Sequence, residues 1–235
     1  MLGTGTGSFS TATNFSGGNF PNFMESSDFN GDGKIDFVVT DNASNTVSVF
    51  LGTGTGSFGL PASFPAMSNP THLICADLNS DAKIDLSVSN GSSNNIVVLL
   101  GTGSSTFGTP TSFNVGVHLI GFASGDFNGD SKIDLATSNQ ASNNVSILLG
   151  TGTGNFTTAT NFTTTLPGMI ISTDINNDSK VDLAIVNPTS NKVSLLLGNG
   201  VGGLGLQILI PWTYPYFICS GDFNGDGKID LATSK

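Results

Sequence analysis

Apolar residues in this chain come in short bursts, separated by polar or glycine-rich turns, and the bursts recur. The stretch His118 to Asp126 reads as a first strand, with small residues at Ala123, Ser124 and Gly125. A nine-residue polar loop, Asp126 to Asp134, follows as a long hairpin turn. Ile133 to Ser138 reads as a second strand, Asn139 to Asn144 as a polar turn, and Val145 to Leu149 as a third strand. That third strand is apolar and β-branched enough to be buried. Gly150 to Gly154 makes a glycine-rich turn, and Phe156 to about Thr164 a fourth strand carrying Phe156 and Phe162. No helix is predicted, since the composition favours strands and turns over helix formers.

This unit repeats along the chain. The first loop residues are Asp28, Asp77, Asp126, Asp174 and Asp222, spaced 49, 49, 48 and 48 apart. Leu2-Gly3-Thr4-Gly5, Leu51-Gly52-Thr53-Gly54, Leu100-Gly101-Thr102-Gly103, Leu149-Gly150-Thr151-Gly152 and Leu197-Gly198-Asn199-Gly200 keep the same register. The phenylalanine pair recurs as Phe9/Phe15, Phe58/Phe64 and Phe107/Phe113, with Leu204 and Ile210 in the last copy. One four-stranded sheet cannot bury both faces, whereas successive sheets packed around an axis can. The expected fold is therefore all-β: a single β-propeller domain over 1–235, of four-stranded blades in five repeats of about 48–49 residues. The units fall at approximately 1–21 (partial), 22–69, 70–117, 118–166, 167–214 and 215–235 (partial). Small residues suit a first strand nearest the axis, and the phenylalanines suit the wedge between blades.

The last copy stops after its second strand, and the N-terminus begins at a glycine-rich turn and fourth strand. Together they lack a third strand, roughly ten residues by comparison with the other copies. The last blade is thus expected to be incomplete, closed imperfectly by the N-terminal strand, or completed by strand addition from a neighbouring chain. The favoured reading is a piece of a larger array, with six or seven blades in all.

The loops carry the chemistry. Each places oxygen side chains at positions 1, 3, 5 and 9, as Asp, Asn, Asp and Asp, and alternate positions of a tight loop can face one centre. Hard oxygen ligands select a hard cation, so the loops are read as up to five calcium sites. Of 17 acidic residues, all but Glu25 and Asp41 lie at positions 1, 5 and 9 of these loops. Of seven basic residues, all but Lys192 and Lys235 are the lysines at position 7. Fifteen carboxylates against five lysines leave ten negative charges, which is the whole net charge of −10. Five divalent cations would cancel it. Carboxylates crowded this closely repel one another unless a cation intervenes.

The motif Asp-x-Asn-x-Asp-Gly-x-x-Asp-Leu after a short strand, with Phe58-Gly59-x-Pro61 and Phe107-Gly108-x-Pro110, resembles the FG-GAP/VCBS repeats. These are β-propeller repeats of integrin α chains, bacterial surface proteins and some fungal lectins. The resemblance implies a loop that joins the first two strands of a blade and binds calcium. Carried over, the ligand sets are Asp28, Asn30, Asp32 and Asp36; Asp77, Asn79, Asp81 and Asp85; Asp126, Asn128, Asp130 and Asp134; Asp174, Asn176, Asp178 and Asp182; and Asp222, Asn224, Asp226 and Asp230. Lys34, Lys83, Lys132, Lys180 and Lys228 would add only a backbone carbonyl each. The Asp77 loop departs most, with Ser80 and Ala82 where the Asp28 and Asp222 loops have glycine. Position 6 is expected to need a left-handed backbone, so the Asp77 loop is expected to bind weakest.

Other functions find little support. An acidic chain without a basic patch does not meet nucleic acid, and no apolar run approaches membrane-spanning length. No nucleophile motif appears, and His72 and His118 sit in different registers. Cys75 and Cys219 read as small buried residues on crowded strands, not as a disulfide. Pro211 to Phe217 breaks the repeat with the single tryptophan and both tyrosines; Trp212, Tyr214 and Tyr216 are candidate contacts for a ligand or partner. Loops of this kind generally work where calcium is plentiful. The expectation is a non-enzymatic, calcium-stabilised module, extracellular or at the cell surface, that binds glycans or proteins. Alternatives are a structural subunit joined into a filament by strand addition, and the accessory propeller of a larger secreted enzyme.

Overall fold

The computed structural model describes residues 1–235. It contains eighteen strands and one short 3-10 turn at Pro188–Ser190, the sole helical element. The first sheet is β1 (Pro21–Ser27), β2 (Asp36–Asp41), β3 (Thr46–Phe50) and β4 (Ala62–Pro65). The second is β5 (Pro70–Ala76), β6 (Asp85–Asn90), β7 (Asn95–Leu99) and β8 (Thr111–Asn114). The third is β9 (Leu119–Gly125), β10 (Asp134–Asn139), β11 (Asn144–Leu148) and β12 (Thr160–Thr163). The fourth is β13 (Ile170–Thr173), β14 (Asp182–Asn187), β15 (Lys192–Leu196) and β16 (Ile208–Pro211). Each of these pairs in simple sequence order and antiparallel throughout. A fifth sheet has two strands only, β17 (Ile218–Gly221) and β18 (Asp230–Thr233). Its outer edge is not paired with the N-terminal segment, so the last blade is incomplete rather than closed by that strand.

The hydrophobic core is divided among the junctions between blades. Val38, Val47 and Val49 of the first blade meet Leu73, Leu86 and Val97 of the second. Ile96 and Val98 of the second meet Leu135 and Leu148 of the third. Val145 and Ile147 of the third meet Leu183, Ile185 and Leu196 of the fourth. The third strands β7, β11 and β15 thus present apolar side chains to both neighbouring blades. β7 is apolar at every position after Asn95, while Ser48, Ser146 and Ser194 interrupt the other third strands. A blade alone would leave two apolar faces in water, so the fold is stable only as a stack.

The recurring phenylalanines lie at these junctions, as expected. A fourth-strand ring packs edge-on against the turn ring of the next blade: Phe15 on Phe58 at 5.2 Å, Phe64 on Phe107 at 5.0 Å, Phe113 on Phe156 at 5.4 Å. The fourth strands are shorter than the sequence implies. Phe58, Phe107 and Phe156 each form only an isolated bridge, to Gly52, Gly101 and Gly150, and regular pairing resumes a few residues later. His118 does not begin the first strand of its blade; it adopts a left-handed backbone and the strand starts at Leu119.

First strands stand side by side in the order β1, β5, β9, β13, β17. All five line one cavity of about 440 Å³, which marks the axis. Ala123 and Ser124 line it beside larger residues, Ile74, Phe122, Ile171 and Ile218, so the axis does not demand small side chains at every position. Cys75 and Cys219 face it too. Cys75 is half-buried, but Cys219 is exposed, contrary to the expectation of two buried thiols. The reason is position: β17 has a single neighbouring strand in its sheet and the open cavity on its other side. Burial, then the Glu25 carboxylate across the cavity, push the Cys75 thiol well above its ordinary value, which keeps it an unreactive thiol.

Candidate metal loops and their docking

Each aspartate loop leaves the end of a first strand and enters the second, so all five lie on one face of the molecule. Inside the loop, side-chain oxygens organise the backbone. Asp28 accepts from Asn30, Gly31, Asp32 and Gly33 N–H groups at 2.8–3.3 Å. Asn30 Oδ1 accepts from Asp32 N–H at 2.9 Å, and Asp32 Oδ1 from Lys34 N–H at 2.9 Å. The side-chain oxygens of positions 1, 3 and 5 are thus engaged by the loop's own amides. The contacts accepted by positions 3 and 5 recur in the loops from Asp77, Asp126, Asp174 and Asp222.

Positions 4 and 6 both have a left-handed backbone in every loop. They are glycines in the Asp28 and Asp222 loops, Ser80 and Ala82 in the Asp77 loop, Gly129 and Ser131 in the Asp126 loop, and Asn177 and Ser179 in the Asp174 loop. The sequence pointed to position 6; position 4 is held equally. Gly31, Gly129 and Gly225 N–H groups bond to the first aspartate at 2.7–2.8 Å. Ser80 and Asn177 make no such bond.

Position 9 has a different role from the others. Asp36, Asp85, Asp134 and Asp182 are fully buried. One oxygen accepts from the position 2 N–H, as Phe127 to Asp134 at 2.8 Å. The other accepts from the first glycine of the glycine-rich turn: Gly52, Gly101, Gly150 and Gly198 at 2.7–2.8 Å. This carboxylate is a clasp between loop and turn, which the sequence did not reveal. The signal was present, since aspartate and glycine recur sixteen residues apart in all four blades. Burial pushes the Asp85 and Asp134 carboxyls above the usual range, and the amides of Gly101 and Leu78, and of Gly150 and Phe127, partly offset this.

Position 7 contributes its side chain to the loop. Lys34, Lys83, Lys132 and Lys180 place an ammonium 2.9–3.3 Å from the position 5 carboxylate. That ammonium holds Asp32, Asp81 and Asp130 below the usual carboxylate range. The lysine stems lie over Gly54, Gly103, Gly152 and Gly200, so close that a β-carbon there would crowd them. Between blades a further latch forms: Ser105 N–H donates to the Phe29 carbonyl, Gly154 to Leu78 and Gly202 to Phe127, at 2.8–3.3 Å. The loop of one blade therefore grips the turn of the next.

The donor set of each loop is oxygen throughout, with neither sulfur nor imidazole, which fits a hard cation. Nowhere do three or more acidic, histidine or cysteine side chains converge into a ready-made metal cluster. The loop amides and the lysine ammonium now hold those carboxylates.

The remaining acidic groups do not form a pair. Asp41 is buried at the end of β2 under the Ser48 hydroxyl, while Glu25 is exposed at the axial cavity. The aromatic segment is split: Trp212 and Tyr214 sit where β16 leaves the fourth blade, and Tyr216 with Phe217 faces the axis.

The profile of the FG-GAP-like repeat matches at residues 28–88, 77–137 and 174–233, more than half of the sequence. The chain belongs to the FG-GAP-like repeat family. Each matched segment contains at least one complete aspartate loop and the second strand after it. No curated protein sequence matches the chain. Among solved structures, an Agrocybe aegerita lectin that recognises non-reducing terminal N-acetylglucosamine is 18% identical with a TM-score of 0.59, covering 88% of this chain and 59% of the lectin. The BBS1N structure in complex with ARL6DN is 17% identical with a TM-score of 0.58, covering 82% of this chain and 57% of that one. A Pseudomonas aeruginosa periplasmic gluconolactonase is 13% identical with a TM-score of 0.63, covering 87% and 55%. The chain spans less than two thirds of the length of each. At these identities the likeness is one of fold: FG-GAP-like repeats in a β-propeller architecture. No helix is long and apolar enough to cross a membrane.

Proposed function

We propose that this chain is a calcium-stabilised, non-enzymatic propeller module that works outside the cell and binds a glycan or a protein. The observation that carries the reading is the fivefold repetition of one oxygen-lined loop, on one face, with nearly all the acidic residues of the chain. Asp28, Asn30, Asp32 and Asp36 and their four counterparts would hold the ion, with the Lys34 carbonyl and its equivalents. The ion would supply charge neutralisation and a tie across the first hairpin of each blade. Family membership supports a binding or scaffold module, and a lectin is among the structures of similar fold.

The test is calcium titration of EDTA-stripped protein, read by heat and by melting temperature. Each site filled at about 100 times its Kd adds about 2.7 kcal/mol. Several sites and a large rise in melting temperature are expected, with magnesium much weaker. No heat and no shift at millimolar calcium overturn the calcium reading.

A further inference from the structure

At the starting ends of the first strands lies a second cavity, of about 360 Å³. It opens on the face opposite the aspartate loops, because each loop leaves the far end of its strand. Asn22 comes from β1, Thr71 and His72 from β5, Gln140 from the turn after β10, and Tyr216 and Phe217 from the segment entering β17. Apolar positions from β9 and from the approach to β13 lie between them. The lining includes no Asp, Glu, Lys or Arg, in a chain with a net charge of −10.

Two features of this mouth ask for a ligand. Tyr216 and Phe217 are 61% and 54% exposed, with rings edge to face at 5.1 Å, so two aromatic surfaces stand in water beside a cavity. His72 lines the cavity with its ring packed on Phe23 at 4.9 Å. The Asn22 amide has only a long 3.4 Å bond to the Thr71 carbonyl. A charged ligand would be desolvated here without a counter-charge, and a wholly apolar one would leave the amides unpaired. A sugar ring offers both an apolar C–H face and a set of hydroxyls. The volume lies within the range of small-molecule sites, about 300–1,000 Å³.

We propose that this axial mouth binds a neutral sugar residue, with its apolar face against Tyr216 and Phe217 and its hydroxyls toward Asn22, Thr71, His72 and Gln140. The inference rests on the glycan arm of the function proposed above and gives it a place and a ligand class. Trp212 and Tyr214 take no part in it.

Saturation-transfer NMR on the whole chain tests this, with the methyl glycosides of glucose, galactose, mannose and N-acetylglucosamine, and gluconate as an anionic probe. Transfer from at least one neutral glycoside and none from gluconate is expected. Calorimetry with the responding glycoside should then show about tenfold weaker binding for Tyr216→Ala and for Gln140→Ala, and no change for Trp212→Ala. All three variants should melt within a few degrees of the parent, since all three side chains lie outside the core clusters. Silence from all four glycosides, a preference for gluconate, or binding that survives both mouth substitutions overturns the proposal. Calcium-dependent melting is read on the same samples. A calcium response without sugar binding defeats this inference alone, whereas no calcium response defeats the calcium reading.

Discussion

The loop from Asp126 to Asp134 and the loop from Asp222 to Asp230 have nearly the same sequence and the same internal hydrogen bonds, yet different surroundings. In both, the first aspartate accepts from the position 4 N–H at 2.7 Å and the position 5 N–H at 3.1 Å. In the last loop the Gly227 N–H, foremost, holds Asp222 below the usual carboxylate range. The surroundings differ at position 2, where Phe127 is 2% exposed and Phe223 60%. Asp134 is sealed beneath Gly150, whereas Asp230 keeps only the Phe223 bond at 3.1 Å. The Lys132 ammonium is 3.0 Å from its carboxylate and Lys228 is at 3.7 Å. The comparison separates two layers of the site. Loop shape is local and needs only nine residues, while the clasp and the latch need a glycine-rich turn from the same blade and one from the next.

The sharpest way to break this comparison is to remove the clasp. Asp134→Ala strands the buried Phe127 and Gly150 N–H groups and should cost about 3 kcal/mol in denaturant unfolding without calcium. Asp230→Ala, with one exposed bond to lose, should cost far less. Equal losses would mean that position 9 does not act through the turn. Next in size is the turn itself. A β-carbon on Gly150 would sit 2.2 Å from the Ile133 carbonyl oxygen, while one on Gly3 would meet nothing nearer than 3.9 Å. Gly150→Ala should therefore lower stability by about 2 kcal/mol or more, and Gly3→Ala hardly at all, by thermal melting.

A smaller change sharpens the local layer. Ala82 holds a left-handed backbone at φ 62°. Ala82→Gly should stabilise the apo protein by about 1 kcal/mol and raise the calcium affinity of the Asp77 loop, which we expect to be the weakest of the five. An unchanged melting curve would show that the strain is relieved elsewhere. The smallest effect comes from the opposite face. Burial holds His72 below its ordinary value of 6.5. The unfolded chain therefore binds the proton more readily. The stability that a neutral His72 contributes is present above pH 6.5 and is lost as pH falls through its lowered folded value. In EDTA, the parent should lose a few tenths of a kcal/mol more than His72→Asn between pH 7 and pH 5. A steeper loss in the variant would reverse the sign.

Much of this was legible beforehand. The spacing of the aspartates and the apolar runs located the loops, the four-stranded blades and the junction phenylalanines, because each depends on a short segment with its own periodicity. The left-handed demand at position 6 was readable from Gly33 and Gly227. Its extension to position 4 needed the observed backbone at Ser80 and Asn177. The role of position 9 was not readable, since Asp134 finds Gly150 sixteen residues away through strand pairing. Cys219 was misplaced because its sequence resembles a crowded strand while its blade has only two strands.

The sequence by itself determined the repeat, the oxygen-rich loops and their shape, because these rest on interactions within about ten residues. Tertiary structure alone decided two things. It showed that the buried aspartate is a clasp and that Tyr216 faces the axis while Trp212 does not. Each depends on what a neighbouring strand or blade places beside the residue. Strand pairing and blade stacking bring together groups too far apart in the chain for any local pattern to record.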